Sequence, residues 1–252
     1  MKIVKIDSVE STNKYCEALD LGEVGDFTCF WALEQTAGIG QRGNHWAAEP
    51  GKNLTFSLVL HPTFLPADRQ FRLTQALSLA LVDLFSTYHL PHSTFIKWPN
   101  DIYVGGRKIC GTLVSTRLQG DRIASAVCGI GLNVNQMDFP SWVPNPTSIS
   151  LLTGRCHDLE PLLLRLLECI GRRYDSLRAG SDLDAEYLRH LLLLGQSARY
   201  RYMGQVLTAT ITGIDPYGRL LLTAADGRRL CCGMKEVAFE GGRFIDIRVI
   251  FA

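Results

Sequence analysis

The sequence predicts an α+β domain with a small β-barrel appended on its C-terminal side. Three observations carry that reading. Residues 66–89 and Leu159–Arg178 space their apolar side chains at helical intervals. Between them, residues 94–134 hold a succession of strand-like runs. Beyond Gly195 the pattern changes to short strands separated by turn residues.

Residues 3–9 read as a short strand. Ser11-Thr12-Asn13 then leads into a helix to about Leu21, with Ser11 or Thr12 a natural N-cap. Residues 27–34 form a strongly apolar strand, 35–52 a loop with Gly38, Gly40, Gly43 and Gly51, and 53–60 an alternating strand. In the 66–89 helix, Phe71, Leu73, Ala76, Leu77, Ala80, Leu81, Leu84 and Phe85 make a wide apolar face. Strands follow at 94–98, 102–104, 108–117 and 123–134, with Gly105-Gly106 as a tight two-residue turn. A loop carrying Pro140, Pro144, Pro146 and Pro161 leads into the helix Leu159–Arg178, and a second helix, 183–194, starts after Asp182, a plausible cap. The C-terminal strands are 198–202, 206–214, 219–223, 229–232 and 236–239, with Pro216-Tyr217-Gly218 and Asp226-Gly227 as hairpin turns. The division expected is 1–194 and 195–252.

Composition narrows the function. With 26 basic and 25 acidic residues the net charge is +1, so no broad positive field exists to hold a nucleic acid, and any polyanion contact must be local. No run approaches the roughly 18 apolar residues of a membrane span, and the N-terminus lacks the apolar core of a secretion signal. The expected compartment is the cytoplasm. The eight cysteines form no CxxC pair and sit mostly in apolar stretches, so they read as buried free thiols. The scattered histidines offer no zinc motif.

Chemistry concentrates in Lys97-Trp98-Pro99-Asn100-Asp101 and Arg107-Lys108-Ile109-Cys110-Gly111. They form a hairpin with Lys97, Asn100 and Asp101 near one end and Lys108 starting the return strand. Two ammonium groups and a carboxylate brought together suit a substrate with anionic groups and a metal ion. Gly38-Ile39-Gly40-Gln41-Arg42-Gly43 matches GxGxxG after a strand, but no helix opens at the third glycine and position 63 is threonine, not an acid. A dinucleotide fold therefore does not follow, nor do kinase motifs accompany it. The loop still suits an anion, through converging backbone N–H groups and the planar donor Arg42. Each residue also has a plainer reading: Ser11-Thr12 as a helix cap, Asn100-Asp101 as turn residues, Lys108 as a solvated hairpin lysine, Trp46 and Trp98 as packing.

Together these pieces resemble the biotin–protein ligases, also called biotin–[acetyl-CoA-carboxylase] ligases. The resemblance rests on ESTNKY at 10–15, EQTAGIGQRGNHW at 34–46, PGKNLTFS at 50–57, KWPNDIYVGGRKICGTLVS at 97–115 and GIGLNVN at 129–135, with a weaker match in GIDPYGRLLL at 213–222. It implies a mixed-sheet catalytic domain related to class II aminoacyl-tRNA synthetases and an SH3-like C-terminal barrel. It implies that biotin and Mg-ATP give biotinyl-5′-adenylate, which a lysine of a biotin carboxyl carrier protein then attacks. Because two anions must approach each other, cationic donors offset their repulsion. By resemblance, Ser11, Thr12, Asn13 and Gln35 bond the ureido head. Ile39-Gly40-Gln41 line the pocket, and Gly111, Gly129 and Gly131 leave room for the ligand. Lys108 contacts the biotin carboxylate. Arg42, Asn44, Trp46, Lys97, Asn100, Asp101 and Asn133 face ATP or the adenylate. Lys108, Arg42 and Asp101 are the expected catalytic residues, and Asp101 the expected Mg2+ ligand.

The chain departs from the family where many members carry GRGRRGR. Three of those arginines are replaced, by Ile39, Gln41 and Asn44, which implies a looser grip on the adenylate. The chain starts at the first strand of the catalytic unit, so no DNA partner is expected. Oligomeric state stays open, with a homodimer among the alternatives. Two other functions compete: a lipoate–protein ligase on the same fold, and a non-catalytic binding module using the barrel as an adaptor.

Overall fold

The computed structural model describes residues 1–88 and 93–240, and for Arg42 the backbone alone. Seven strands form one sheet: β1 (Lys2–Val9), β2 (Thr28–Gln35), β3 (Leu54–Leu60), β4 (Thr94–Lys97), β5 (Asp101–Val104), β6 (Arg107–Gln119) and β7 (Arg122–Leu132). Their order is β1-β2-β3-β7-β6-β5-β4. The β1–β2 pair is parallel and the others antiparallel, so the sheet is mixed.

Period-two alternation assigns the two faces. On β3 and β7, Leu54, Phe56, Leu58, Leu60, Cys128, Ile130 and Leu132 pack into the main core with α2 (Phe71–Ser86) and α4 (Leu159–Arg178). Opposite them, Val59, Val127 and Phe30 join Cys16 and Leu21 in a smaller cluster under α1 (Thr12–Glu17). Further along that second face the side chains give way to Gly129, Gly131 and Gly111, one row from Thr55 through Gly131 to Gly111 and the next from Ser57 through Gly129 to Leu113. The hairpin turn is as expected: Gly105 and Gly106 both have positive φ (58° and 73°), as a two-residue turn between twisted strands needs.

Five strands make a second sheet: β8 (Ser197–Tyr202), β9 (Gln205–Ile214), β10 (Leu220–Ala224), β11 (Arg229–Cys232) and β12 (Val237–Phe239), in the order β11-β10-β9-β8-β12. The expected barrel is not closed among the described residues, because β11 and β12 remain unpaired edges. The unit is pinned to the first sheet. Trp98 Nε1 donates to Gly218 O at 2.9 Å, and a Cβ on Gly218 (φ 82°) would run into the ring of Phe71.

Several boundaries differ from expectation for visible reasons. α1 ends at Glu17, short of Leu21. The 66–89 helix splits into a short 3-10 turn, Ala67–Arg69, and α2, while position 89 lies outside the described residues. The 183–194 helix is only α5 (Asp184–Arg189): Leu192 N–H donates to Ile96 O, so the apolar tail pairs with β4 instead of continuing the coil. The N-cap position is Leu183, not Asp182, and carries no side-chain capping bond; Asp182, one residue earlier, accepts Asp184 N–H at 3.0 Å. The proline-rich loop hides α3 (Ile149–Thr153), capped by Ser148 Oγ and closed by Gly154 at φ 72°. All eight cysteines are free thiols, and six are buried. No helix among the described residues is long and apolar enough to cross a membrane.

Candidate functional site

A cavity of about 300 Å³ opens on the glycine-bearing face of the large sheet. Most of the predicted residues line it: Ser11, Thr12, Asn13, Gln35, Ile39, Gly40, Gln41, Asn44, Trp46, Lys97, Asn100, Asp101, Lys108, Gly111, Gly129 and Gly131. Asn133 does not, and the side chain of Arg42 lies outside the described residues.

One end is neutral and polar. Ser11 occupies the N-cap position of α1 but its side chain makes no capping bond, so the plain helix-cap reading does not account for it. Thr12 donates its backbone N–H to Gln35 Oε1 at 2.7 Å, and its hydroxyl lies 3.0 Å from the same oxygen. Asn13 extends over the bare backbone of Gly129: Ser57 Oγ donates to Asn13 Oδ1 at 2.7 Å, and Asn13 Nδ2 donates to Leu113 O at 3.4 Å. Ser57, Gly129 and Leu113 are register partners on β3, β7 and β6, so one amide spans three strands. The room at Gly129 is thus filled by Asn13, and a Cβ there would overlap its amide.

The other end is charged. Lys108 Nζ lies 2.7 Å from Asp101 Oδ1. Lys97, across β4–β5 from Asp101, donates to Tyr103 Oη at 3.4 Å and stands 5.1 Å from the ring of Phe239. Burial pushes the Lys97 ammonium below the ordinary lysine value, with neighbouring Lys108 acting in the same direction and Asp101 opposing. Asn100 is buried and spends its amide on Thr112 O, which fixes the turn that carries Asp101. Asn133 acts at one remove. Its Nδ2 donates to Thr147 O at 2.9 Å, and the 145–147 segment clasps the backbone of Lys108 on both sides.

The indole of Trp46 occupies the space over Gly131 and touches Gly111, 5.6 Å from Lys108 Nζ. It stands over the Gly131 row, two residues along β7 from the Asn13 brace, or about 7 Å. The loop that carries it is a tight hairpin: Gly40 N–H donates to Asn44 O at 2.7 Å and Trp46 N–H to Gly38 O at 2.9 Å. Sequence reasoning missed Ser57, and it missed Val237, Ala238 and Phe239 of β12, which line the cavity from the second sheet. Ser57 ends the 50–57 motif, but its role depends on register across three strands; for β12 no local signal exists. Among the described residues no group of three or more histidine, cysteine or acidic side chains could hold a metal by itself.

A family model described as "Biotin/lipoate A/B protein ligase family" matches residues 6–133, and one described as "Biotin protein ligase C terminal domain" matches 193–245. The chain is 31% identical over 226 residues to the "Bifunctional ligase/repressor BirA" of Bacillus spizizenii, covering 88% of this chain and 69% of the relative. It is 31% identical over 241 residues to the "Biotin--[acetyl-CoA-carboxylase] ligase" of Paracoccus denitrificans, covering 92% and 98%. Its fold is like that of the Aquifex aeolicus biotin protein ligase solved with biotin and ATP, with a TM-score of 0.78, 24% identity and coverage of 95% and 98%.

Proposed function

The chain belongs to the biotin protein ligases, within the biotin/lipoate A/B protein ligase family, and from that premise we propose that it works in two steps. Biotin's carboxylate oxygen attacks the α-phosphorus of ATP, pyrophosphate leaves, and biotinyl-5′-adenylate remains in the cavity. A lysine amine of a biotin carboxyl carrier protein then attacks the acyl carbon, and AMP leaves.

The observation that carries this reading is the polarity of the cavity. A neutral hydrogen-bonding end at Thr12, Asn13 and Gln35 and a cationic end at Lys108 and Lys97 line the same cavity, with the Trp46 ring, 5.6 Å from Lys108 Nζ, on the glycine row next to the Asn13 brace. A ligand with an uncharged polar head and a carboxylate tail fits that layout. Lys108 is the group to meet the carboxylate, and Asp101 holds its ammonium in place at 2.7 Å. Lys97 is a second cation whose burial strengthens its pull on phosphate. Arg42 is the third by resemblance.

Mg2+ binds typically through one or two carboxylates with the remaining ligands from phosphate and water. Asp101 alone meets that need only together with ATP, and the ion would then neutralise phosphate charge. We also place the unit boundary at 194/195, between α5 and β8, and the site of action in the cytoplasm.

The test mixes the protein, biotin, Mg-ATP and a carboxyl-carrier fragment, read by intact mass. The expected result is a carrier heavier by one biotin less one water, with pyrophosphate released by biotin and ATP alone. An unchanged carrier and no pyrophosphate would overturn the proposal; activity with lipoate in place of biotin would redirect it to the apolar acid.

A further inference from the structure

Resting on the ligase reading, we infer that Ser57, which is fully buried and does not line the cavity, sets the hydrogen-bond polarity of the neutral end and so makes it select a ligand that brings an N–H group.

The cluster around Ser57 holds fewer hydroxyl protons than oxygen–oxygen contacts. Three oxygen–oxygen contacts link four side chains: Thr12 Oγ1 to Gln35 Oε1 at 3.0 Å, Ser57 Oγ to Thr12 Oγ1 at 2.7 Å, and Ser57 Oγ to Asn13 Oδ1 at 2.7 Å. Only two hydroxyl protons are present to serve them. The orientation of Asn13 follows from its far side. Leu113 O can only accept, so the amide atom facing it is the nitrogen and the atom facing Ser57 is the oxygen. An amide oxygen only accepts, so the Ser57 proton goes to Asn13. The 2.7 Å contact between Ser57 and Thr12 then takes the Thr12 proton. Gln35 Oε1 keeps the Thr12 backbone N–H, and its contact with the Thr12 hydroxyl is left without a proton.

The consequence is directional. Thr12 Oγ1 and Gln35 Oε1 both present acceptor lone pairs beside the cavity, and the cluster is one donor short. A ring N–H of a cyclic urea supplies that donor. Without Ser57 the Thr12 proton is released to turn toward Gln35 or the ligand, and the discrimination fades. Ser57 is a positioning residue here, acting on the ligand through Thr12.

The experiment is calorimetric binding of biotin and of its two ring-oxygen analogues, cyclic carbamates in which one or the other ureido N–H is replaced by O. Wild-type protein is compared with Ser57→Ala and Ser57→Cys. Wild type should bind the analogue whose ring oxygen faces Thr12 about 100-fold more weakly than biotin, because two acceptors then face each other. In Ser57→Ala, biotin should weaken about 10-fold while that preference shrinks to about 10-fold or less. Ser57→Cys, which keeps the volume but donates weakly, should fall between. ATP affinity should not move. A merely structural role would weaken all three ligands together, so a preference unchanged in both variants, or in Ser57→Cys should Ser57→Ala not fold, overturns the inference. If wild-type protein fails to bind biotin at all, the ligase reading fails first and takes this one with it.

Discussion

Replacing Gly129 by alanine tests the brace that Asn13 makes across three strands. A Cβ at that position would stand 2.7 Å from Asn13 Cγ and 3.0 Å from its Nδ2, and closer still to Oδ1. The obstacle is a fixed amide on a buried residue, so the amide has to leave. The bonds that Asn13 makes with Ser57 Oγ and Leu113 O are then lost, at about 1 kcal/mol each, while Ser57 keeps its contact with Thr12 Oγ1, and the displaced buried amide left without partners adds about 1 kcal/mol; about 3 kcal/mol in total is expected. For a chain of this size that corresponds to a drop of about 6–12 °C in Tm. Thermal unfolding without ligand measures it, and biotin titration should show weaker binding, since Thr12 and Asn13 share α1. The decisive measurement is a double-mutant cycle. With Asn13→Ala already in place the obstacle is gone, so adding Gly129→Ala should cost under about 1 kcal/mol and the pair should be non-additive by about 2 kcal/mol. Additive costs would refute the brace.

Other outcomes follow from the charged end. Lys108→Ala should slow adenylate formation and weaken biotin by about 1.5–3 kcal/mol, the worth of a charge-assisted bond; wild-type pyrophosphate release would show that Lys108 is misassigned. Lys97 has a lowered pKa in the folded protein, so its charge is lost at lower pH than that of an ordinary lysine. The alkaline limb of kcat/KM for ATP should therefore fall early and move to higher pH in Lys97→Arg; an unmoved limb counts against its contact with phosphate. The linked stability has the opposite sense. Between the folded and unfolded pKa values the unfolded chain binds more protons, so this group's contribution to stability rises with pH. Gln41→Arg, restoring a cation to the glycine loop, should lengthen the lifetime of the bound adenylate, timed by its dissociation; equal lifetimes would show that the loop's missing arginines do not control release.

The parts of the molecule legible in the sequence are those decided locally. The Gly105-Gly106 turn, the helix Leu159–Arg178 and the strand Arg229–Cys232 follow from short-range pattern. So does the concentration of polar residues around Lys97, Asp101 and Lys108. α3 was also signalled, by Ser148 before it and Gly154 after it, but the surrounding prolines argued for loop. What escaped was settled by partners distant in sequence. The run 191–194 has helical spacing, yet its N–H groups are spent on β4 and on turns. Gly129 and Gly131 read as open space, whereas Asn13 and Trp46 reach in from α1 and the glycine loop to fill it. Ser57 matters only because register sets it beside Gly129 and Leu113.

The cavity wall begins at Ser11 and is completed by Phe239. During synthesis the proposed vitamin-binding surface therefore cannot be whole until Phe239 has left the ribosome. Nascent fragments that have already folded the large sheet would lack its last wall, with Lys97 open to water where Phe239 later covers it. On the proposed site, ligand capture would thus report on molecules folded through β12, and biotin added during refolding should protect only the stage at which β12 docks.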